Sequence, residues 1–214
     1  MNLTKEQSNT LKWLAIILML IDHIGAVLYP MEDGWRIIGR LAFPLFAFQL
    51  AIGFDHTRNH TVQLRNLLIF GLLSQVPYML AFEPSEWTFN IFFTLAIGYA
   101  VILAIQEEQY LYIPLLVSAG YLIPVDYGIY GVLLPIFFYF LRKSPVLLFI
   151  AFTFSTVLYG LLLSPTQLYA ILAFPLIFLL PYLPHISIKT SKWFFYWFYP
   201  IHIMILYIIH TFLQ

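Results

Sequence analysis

The stretch Leu11-Lys12-Trp13-Leu14-Ala15-Ile16-Ile17-Leu18-Met19-Leu20-Ile21-Asp22-His23-Ile24-Gly25-Ala26-Val27-Leu28-Tyr29 reads as a membrane-spanning helix with two ionisable residues inside it. About twenty apolar residues cross the hydrocarbon core of a bilayer, and this run approaches that length. An aspartate near the bilayer interior costs about 2.5–3.5 kcal/mol on insertion scales, so intramembrane carboxylates are rare and mark functional sites. The neighbours Asp22 and His23 are therefore the first functional lead. The run is expected to be retained rather than cleaved as a leader. Its apolar core is too long, Asp22 and His23 interrupt it, and no small-x-small site follows.

The rest of the chain has the same character. Of its 214 residues 62% are hydrophobic, 19% aromatic and only 9% charged, with a mean hydropathy of +0.87. A soluble globule carries about 25% charge, whereas helices that are apolar all round belong in lipid. Net charge is zero, so bulk charge points to no nucleic-acid partner. The absence of cysteine excludes disulfides, thiolate metal sites and a cysteine nucleophile.

Nine segments meet or approach the length of a span: 11–29, 37–54, 66–82, 88–105, 110–124, 128–141, 145–163, 166–183 and 194–213. Turn chemistry separates them. Tyr29-Pro30 leads into Glu32-Asp33-Gly34, and a polar loop runs from Asp55 to Gln63. Glu83-Pro84-Ser85-Glu86 and Ser164-Pro165-Thr166 read as turns, and Pro181-Tyr182-Leu183-Pro184 ends a helix. Segments 110–124 and 128–141 are short. They fit either two spans or one re-entrant unit around Pro124-Val125-Asp126.

Lys and Arg collect on the cytoplasmic side of membrane proteins. With the N-terminus inside, that side receives Lys5, Lys12, Arg58, Arg65, Arg142, Lys143, Lys189 and Lys192, and only Arg36 and Arg40 fall outside. The sequence therefore predicts an all-α, polytopic membrane bundle of about nine transmembrane helices, N-terminus in and C-terminus out. Residues 1–214 are expected to form a single integral membrane domain.

This topology sorts polar residues by depth. Asp22 and His23 lie in the outer half of the first span. Arg36 and Arg40, four apart, share a helix face near the outer end of the second. Asn90 and Thr94 line an outer face of the fourth, and Asp126 and Tyr130 flank the outer end of the sixth. His202 lies nearer the middle of the last span, with Gln49, Ser74 and Gln75 at similar depth. Plainer roles stand beside these. Asp22 and Arg40 make a structural ion pair, His23 is a satisfied core histidine, His202 is another served by Tyr196 or Tyr199, Asn90 and Thr94 bond helices together, and Arg40 snorkels outward. His56 and His60 mimic a zinc half-site but lack a third ligand, so no metal is expected. Trp193-Phe194-Phe195-Tyr196-Trp197-Phe198-Tyr199 fits an interfacial anchor.

The chemistry open to this set is general base catalysis by a histidine near neutral pH. A carboxylate beside it would orient the ring or raise its basicity, and an arginine would hold a developing oxyanion or a phosphate. No GxSxG, Walker A or HExxH pattern is present.

Several blocks resemble the TraX family. Met19-Leu20-Ile21-Asp22-His23-Ile24-Gly25 is similar to its opening signature, and Gly39-Arg40-Leu41-Ala42-Phe43-Pro44-Leu45-Phe46-Ala47-Phe48 to its second block. Ser74-Gln75-Val76-Pro77-Tyr78, Asn90-Ile91-Phe92-Phe93-Thr94-Leu95 with Gly98, and Phe194-Phe195-Tyr196-Trp197-Phe198-Tyr199-Pro200-Ile201-His202 supply further matches. The family's named member acetylates the N-terminal amine of conjugative F-type pilin. The family also resembles a wider class of membrane acyltransferases, among them the lysosomal heparan glucosaminide acetyltransferase, in which a membrane-embedded histidine is implicated.

The resemblance implies acetyl transfer from cytoplasmic acetyl-CoA to an acceptor amine or hydroxyl at the outer face, a pilin N-terminus being one such acceptor. By resemblance the chain sits in the bacterial cytoplasmic membrane, and His23 is the first candidate for the catalytic histidine, supported by Asp22 and Arg40, with His202 second. Arg36, Gln49, Gln75, Asn90, Thr94, Asp126, Tyr130 and His202 are the candidate substrate- and cofactor-binding residues. Two other classes stay open: a small proton-coupled transporter or flippase using Asp22 and His23 as a relay, and a non-enzymatic membrane component of a pilus or secretion apparatus.

Overall fold

The computed structural model describes residues 3–84, 86–183, 186 and 190–213. Ser85 of the predicted turn, and Pro184 and Lys189 of the predicted final loop, lie outside the described residues.

Helix α1 (Lys5–Leu28) starts ahead of its apolar run because Thr4 and Gln7 form a reciprocal capping box, which satisfies two otherwise orphaned amides. The predicted second span is two helices, α2 (Asp33–Gly39) and α3 (Ala42–Phe54). They break at Arg40 and Leu41 because Pro44 has no N–H to bond the Arg40 carbonyl one turn back. Asn59 caps α4 (His60–Phe82) and Asn90 caps α5 (Ile91–Gln106). The short helices α6 (Tyr112–Leu122) and α7 (Gly128–Leu141) follow. After α8 (Pro145–Leu162), a 3-10 turn over Pro165–Leu172 runs into α9 (Ala173–Leu179), and α10 (Lys192–Leu213) closes the chain.

These helices fall on the nine predicted segments, with no β-strand among the described residues; one isolated bridge joins Phe89 and Val125. Five stretches are long and apolar enough to cross a membrane: Lys5–Leu28, Asp33–Phe54, His60–Phe82, Pro145–Leu162 and Lys192–Leu213. Ile91–Gln106, Tyr112–Leu122, Gly128–Leu141 and Pro165–Leu179 are apolar but shorter. Large apolar side chains such as Leu72, Phe154 and Leu161 stand exposed on the outside, as suits a protein surrounded by lipid.

Packing closes a ring. α1 packs on α3 and α10, α10 on α4, α4 on α5, α5 on α7 and α7 on α3. α6, α8 and the 3-10 turn with α9 lie outside it, against α5, α7 and α3. One end of the ring is tied by Ser8 with Gln49, and by Asp55 with Arg142 and Tyr139. Burial pushes the Asp55 carboxyl up, but the bonds from Arg142 and Tyr139 outweigh it and hold the group below the usual carboxylate range. The opposite end carries Asp22, Arg36, Arg40 and Tyr127.

Two glycines let α2 lie against α1. A Cβ on Gly39 would sit 2.2 Å from the Asp22 Cβ, and one on Gly25 would sit 2.2 Å from the Trp35 Cβ. Small residues of this kind let helix backbones approach closely in membranes. Here the approach brings Arg36 and Arg40 within reach of Asp22.

Candidate functional site

Inside the ring lies a cavity of about 650 Å³. Its walls at one end include Lys12, Gln49, Thr57, Gln63 and Lys192, and at the other Asp22, His23, Arg36, Arg40, Asp126 and Tyr127. Phe46, Phe92, Leu95 and Tyr196 are among the side chains lining it between them.

At the Arg40 end, the Asp22 carboxylate accepts from Arg36 Nη1 at 2.7 Å and from Arg40 Nη2 at 3.2 Å. Asp22 and Arg40 are buried, while Arg36 is partly open to the cavity. The expectation that Asp22 orients His23 is corrected here: its oxygens face the two arginines. Placing one aspartate between two guanidinium groups gives each charge a partner, which a buried ion cluster requires.

A second layer steadies Arg40. Its Nη1 donates to the Tyr127 hydroxyl at 3.2 Å and reaches Gln167 Oε1 at 3.5 Å. Gln167 Nε2 donates to the Tyr130 hydroxyl at 3.3 Å, and Tyr130 continues to Thr156 at 3.2 Å. Since Thr156 donates to the Phe152 carbonyl at 2.7 Å, the Tyr130 hydroxyl is the donor to Thr156. Tyr130 is thus a buttress behind Arg40 rather than part of the cavity wall.

His23 takes its orientation from α10. Its Nδ1 lies 2.7 Å from His202 Nε2, and His202 Nδ1 lies 2.6 Å from the Phe198 carbonyl oxygen. A carbonyl only accepts, so His202 carries its proton on Nδ1. With both rings neutral, His202 Nε2 is then an acceptor and His23 Nδ1 the donor to it. His23 is left with its lone pair on Nε2, on a residue that lines the cavity. Phe82 and Tyr199 hold the ring edge-on, with centroids 5.0 and 5.8 Å away.

The sequence-selected residues divide by position. Asp22, His23, Arg36, Arg40, Gln49 and Asp126 line the cavity, with Gln49 at the Lys12 end. His202 stands behind His23. Thr94 donates to the Asp126 backbone carbonyl at 2.6 Å, fixing the turn that presents Asp126. Gln75 and Asn90 lie off the cavity. Asn90 donates to Gln75 Oε1 at 2.8 Å and to the Gly71 carbonyl at 2.7 Å, while Gln75 donates to the Thr88 carbonyl at 2.7 Å. That pair closes the connection between α4 and α5. His60 Nδ1 lies 2.7 Å from the Tyr99 hydroxyl, and no cluster of three or more metal-ligating side chains occurs among the described residues. The aromatic run at the start of α10 is in part a wall: Phe195, Tyr196 and Tyr199 line the cavity, whereas Trp193 and Trp197 are exposed.

Sequence reasoning did not single out Lys12, Lys192, Tyr78, Tyr127 or Gln167 as site residues. Gln167 carried a readable signal, an amide inside an apolar stretch. Tyr127 is held at φ +61°, a conformation that sequence does not announce for tyrosine.

The model of the family described as TraX protein matches residues 7–210. The chain belongs to the TraX family. A relative named a probable fimbrial assembly protein FimC, serogroup H1, of Dichelobacter nodosus is 30% identical over 240 aligned positions, covering 95% of this chain and 96% of its own. Protein TraX of Escherichia coli is 30% identical over 97 residues, 45% of this chain and 39% of its own. An uncharacterized protein of Rickettsia prowazekii is 37% identical over 89 residues, 41% of this chain and 33% of its own. No solved structure matches this TraX family chain.

Proposed function

We propose that the chain is a bacterial membrane acetyltransferase. It takes an acetyl group from acetyl-CoA at the cytoplasmic end of the cavity and delivers it to an acceptor amine or hydroxyl at the outer end. The observation that carries this reading is one continuous cavity with a lone-pair nitrogen of His23 on its wall and two arginines beside it. His23 Nε2 takes the proton as the acceptor nitrogen or oxygen attacks the thioester carbonyl. The C–S bond breaks, and the same proton goes to the departing thiolate. Arg36, partly open to the cavity, is the donor for the carbonyl oxygen as it becomes negative.

The relatives' names favour an acceptor in pilus biogenesis, such as a pilin N-terminal amine emerging on the outer face. The orientation that goes with this function is a nine-span bundle with the N-terminus in the cytoplasm. The experiment is direct: purified protein in lipid nanodiscs, labelled acetyl-CoA and a pilin-derived peptide with a free N-terminus. Label should appear in the peptide and be lost with His23→Gln. Absence of transfer, together with proton flux in liposomes that depends on Asp22 and His23, would move the chain to the transporter class.

A further inference from the structure

The cavity's charges are unevenly placed. Its carboxylates, Asp22 and Asp126, both lie at the Arg40 end. Lys12 and Lys192 line the opposite end, and neither has an ion-pair partner among the described residues. Their ammonium groups lie over aromatic faces instead, Lys12 at 5.5 Å from the Phe195 centroid and Lys192 at 5.2 Å from the Trp193 centroid. Gln49, Thr57 and Gln63 add neutral hydrogen-bonding groups at that end. Lys192 is also the first residue of α10, a helix of 22 residues, whose N-terminal amides add positive character.

Two helices repeat one spacing. Lys12 precedes His23 on α1 by eleven residues, and Lys192 precedes His202 on α10 by ten. At 1.5 Å rise per residue these intervals are about 15–17 Å. The two histidines touch at 2.7 Å, so both lysines lie about one such interval from the same point.

We infer that Lys12 and Lys192 form a phosphate subsite that holds the diphosphate of a pantetheine-bearing nucleotide donor, with its arm extended along the cavity so that the thioester reaches His23. The arm between diphosphate and sulfur has about thirteen bonds. An extended chain covers about 3.5 Å for every three backbone bonds, so the arm spans about 15 Å, matching the interval. This deepens the acetyl-CoA reading and rests on it.

The test measures binding of CoA and of pantetheine, which lacks the phosphates, to the full-length protein in nanodiscs. Wild type should prefer CoA by tenfold or more, and added salt should erode that preference, since the contacts are charged. Lys12→Gln/Lys192→Gln should bring the two affinities together, and Lys12→Arg/Lys192→Arg should keep most of the difference. A glutamine variant that binds CoA as tightly as wild type overturns the subsite while leaving the donor reading standing. Wild-type protein that binds neither compound overturns the donor reading itself, and the subsite with it. Should the glutamine variant fail to fold, wild type alone decides, because a CoA affinity indifferent to salt contradicts a lysine–phosphate contact.

Discussion

His23 and His202 meet through a single 2.7 Å hydrogen bond whose direction is set by the Phe198 carbonyl, 2.6 Å from the far nitrogen of His202. A backbone oxygen, fixed within α10, thereby decides which nitrogen of a residue on α1 is basic. If His23 is the base, His23→Gln removes a contribution of about 10²–10⁴-fold to acetyl transfer while the protein stays folded. His202→Phe, which deletes the acceptor for His23 Nδ1–H, should slow transfer by about tenfold or more and alter the pH profile. His202→Gln should restore much of the rate, because its amide oxygen accepts the same proton. Rates from labelled acetyl-CoA, normalised to folded yield, check this; equal rates for His202→Phe and wild type would remove the relay.

Asp22 answers two cations. Asp22→Asn leaves Arg36 and Arg40 facing one another without an anion and should destabilise the bundle by about 3–5 kcal/mol. Asp22→Asn/Arg40→Gln should recover part of that loss. Unfolding midpoints in detergent read both effects, and an unchanged midpoint in Asp22→Asn would show that the cluster is not stabilising.

Arg40 divides its guanidinium between Asp22, Tyr127 and Gln167. A lysine ammonium keeps the charge but cannot reproduce that planar fork. Arg40→Lys should therefore fold and lose transfer by about tenfold or more. Full activity in Arg40→Lys would reduce the residue to a simple counter-charge.

Gly39→Ala places a methyl group 2.2 Å from the Asp22 Cβ. Overpacking of this kind costs about 1–3 kcal/mol, and the relief available is separation of α2 from α1, which draws both arginines away. Stability and transfer should fall together. An alanine variant with wild-type stability would mean that the contact is looser than this distance.

The chain contains no cysteine, so single introduced cysteines report topology without further changes. Arg58→Cys should react with an impermeant maleimide only after the membrane is opened, and Glu86→Cys should react from outside. The reverse pattern would invert the bundle and remove the proposed outer-face acceptor.

The apolar runs located the helices well, because lipid imposes a pattern that needs no tertiary context. Their starts were less visible: α1 begins at Lys5 and α4 at His60, in polar turns where caps rather than hydropathy set the boundary. The break at Arg40 was encoded in Pro44 but hidden inside an apolar run. Depth brought Asp22, Arg36 and Arg40 together correctly, since ions buried in one layer must find each other. Depth says nothing about azimuth. It therefore gave Tyr130 and Asn90 the same standing as Asp126, although their polar atoms turn away from the cavity. The His23–His202 bond joins residues 179 positions apart, and only the closure of the ring reveals it.

Helix α6 has eleven residues, about 16 Å of rise, and α7 has fourteen, about 21 Å. A bilayer's hydrocarbon core is about 30 Å thick. For a bundle embedded in lipid, this flank is a wall lower than the leaflets it meets, and the acyl chains beside it must shorten or splay, at a fraction of a kcal/mol per Å. Acyl-chain length thereby becomes a variable acting on the protein: short-chain lipids relieve the mismatch, and long-chain lipids press on the side of the ring where α7 backs α5 and α3.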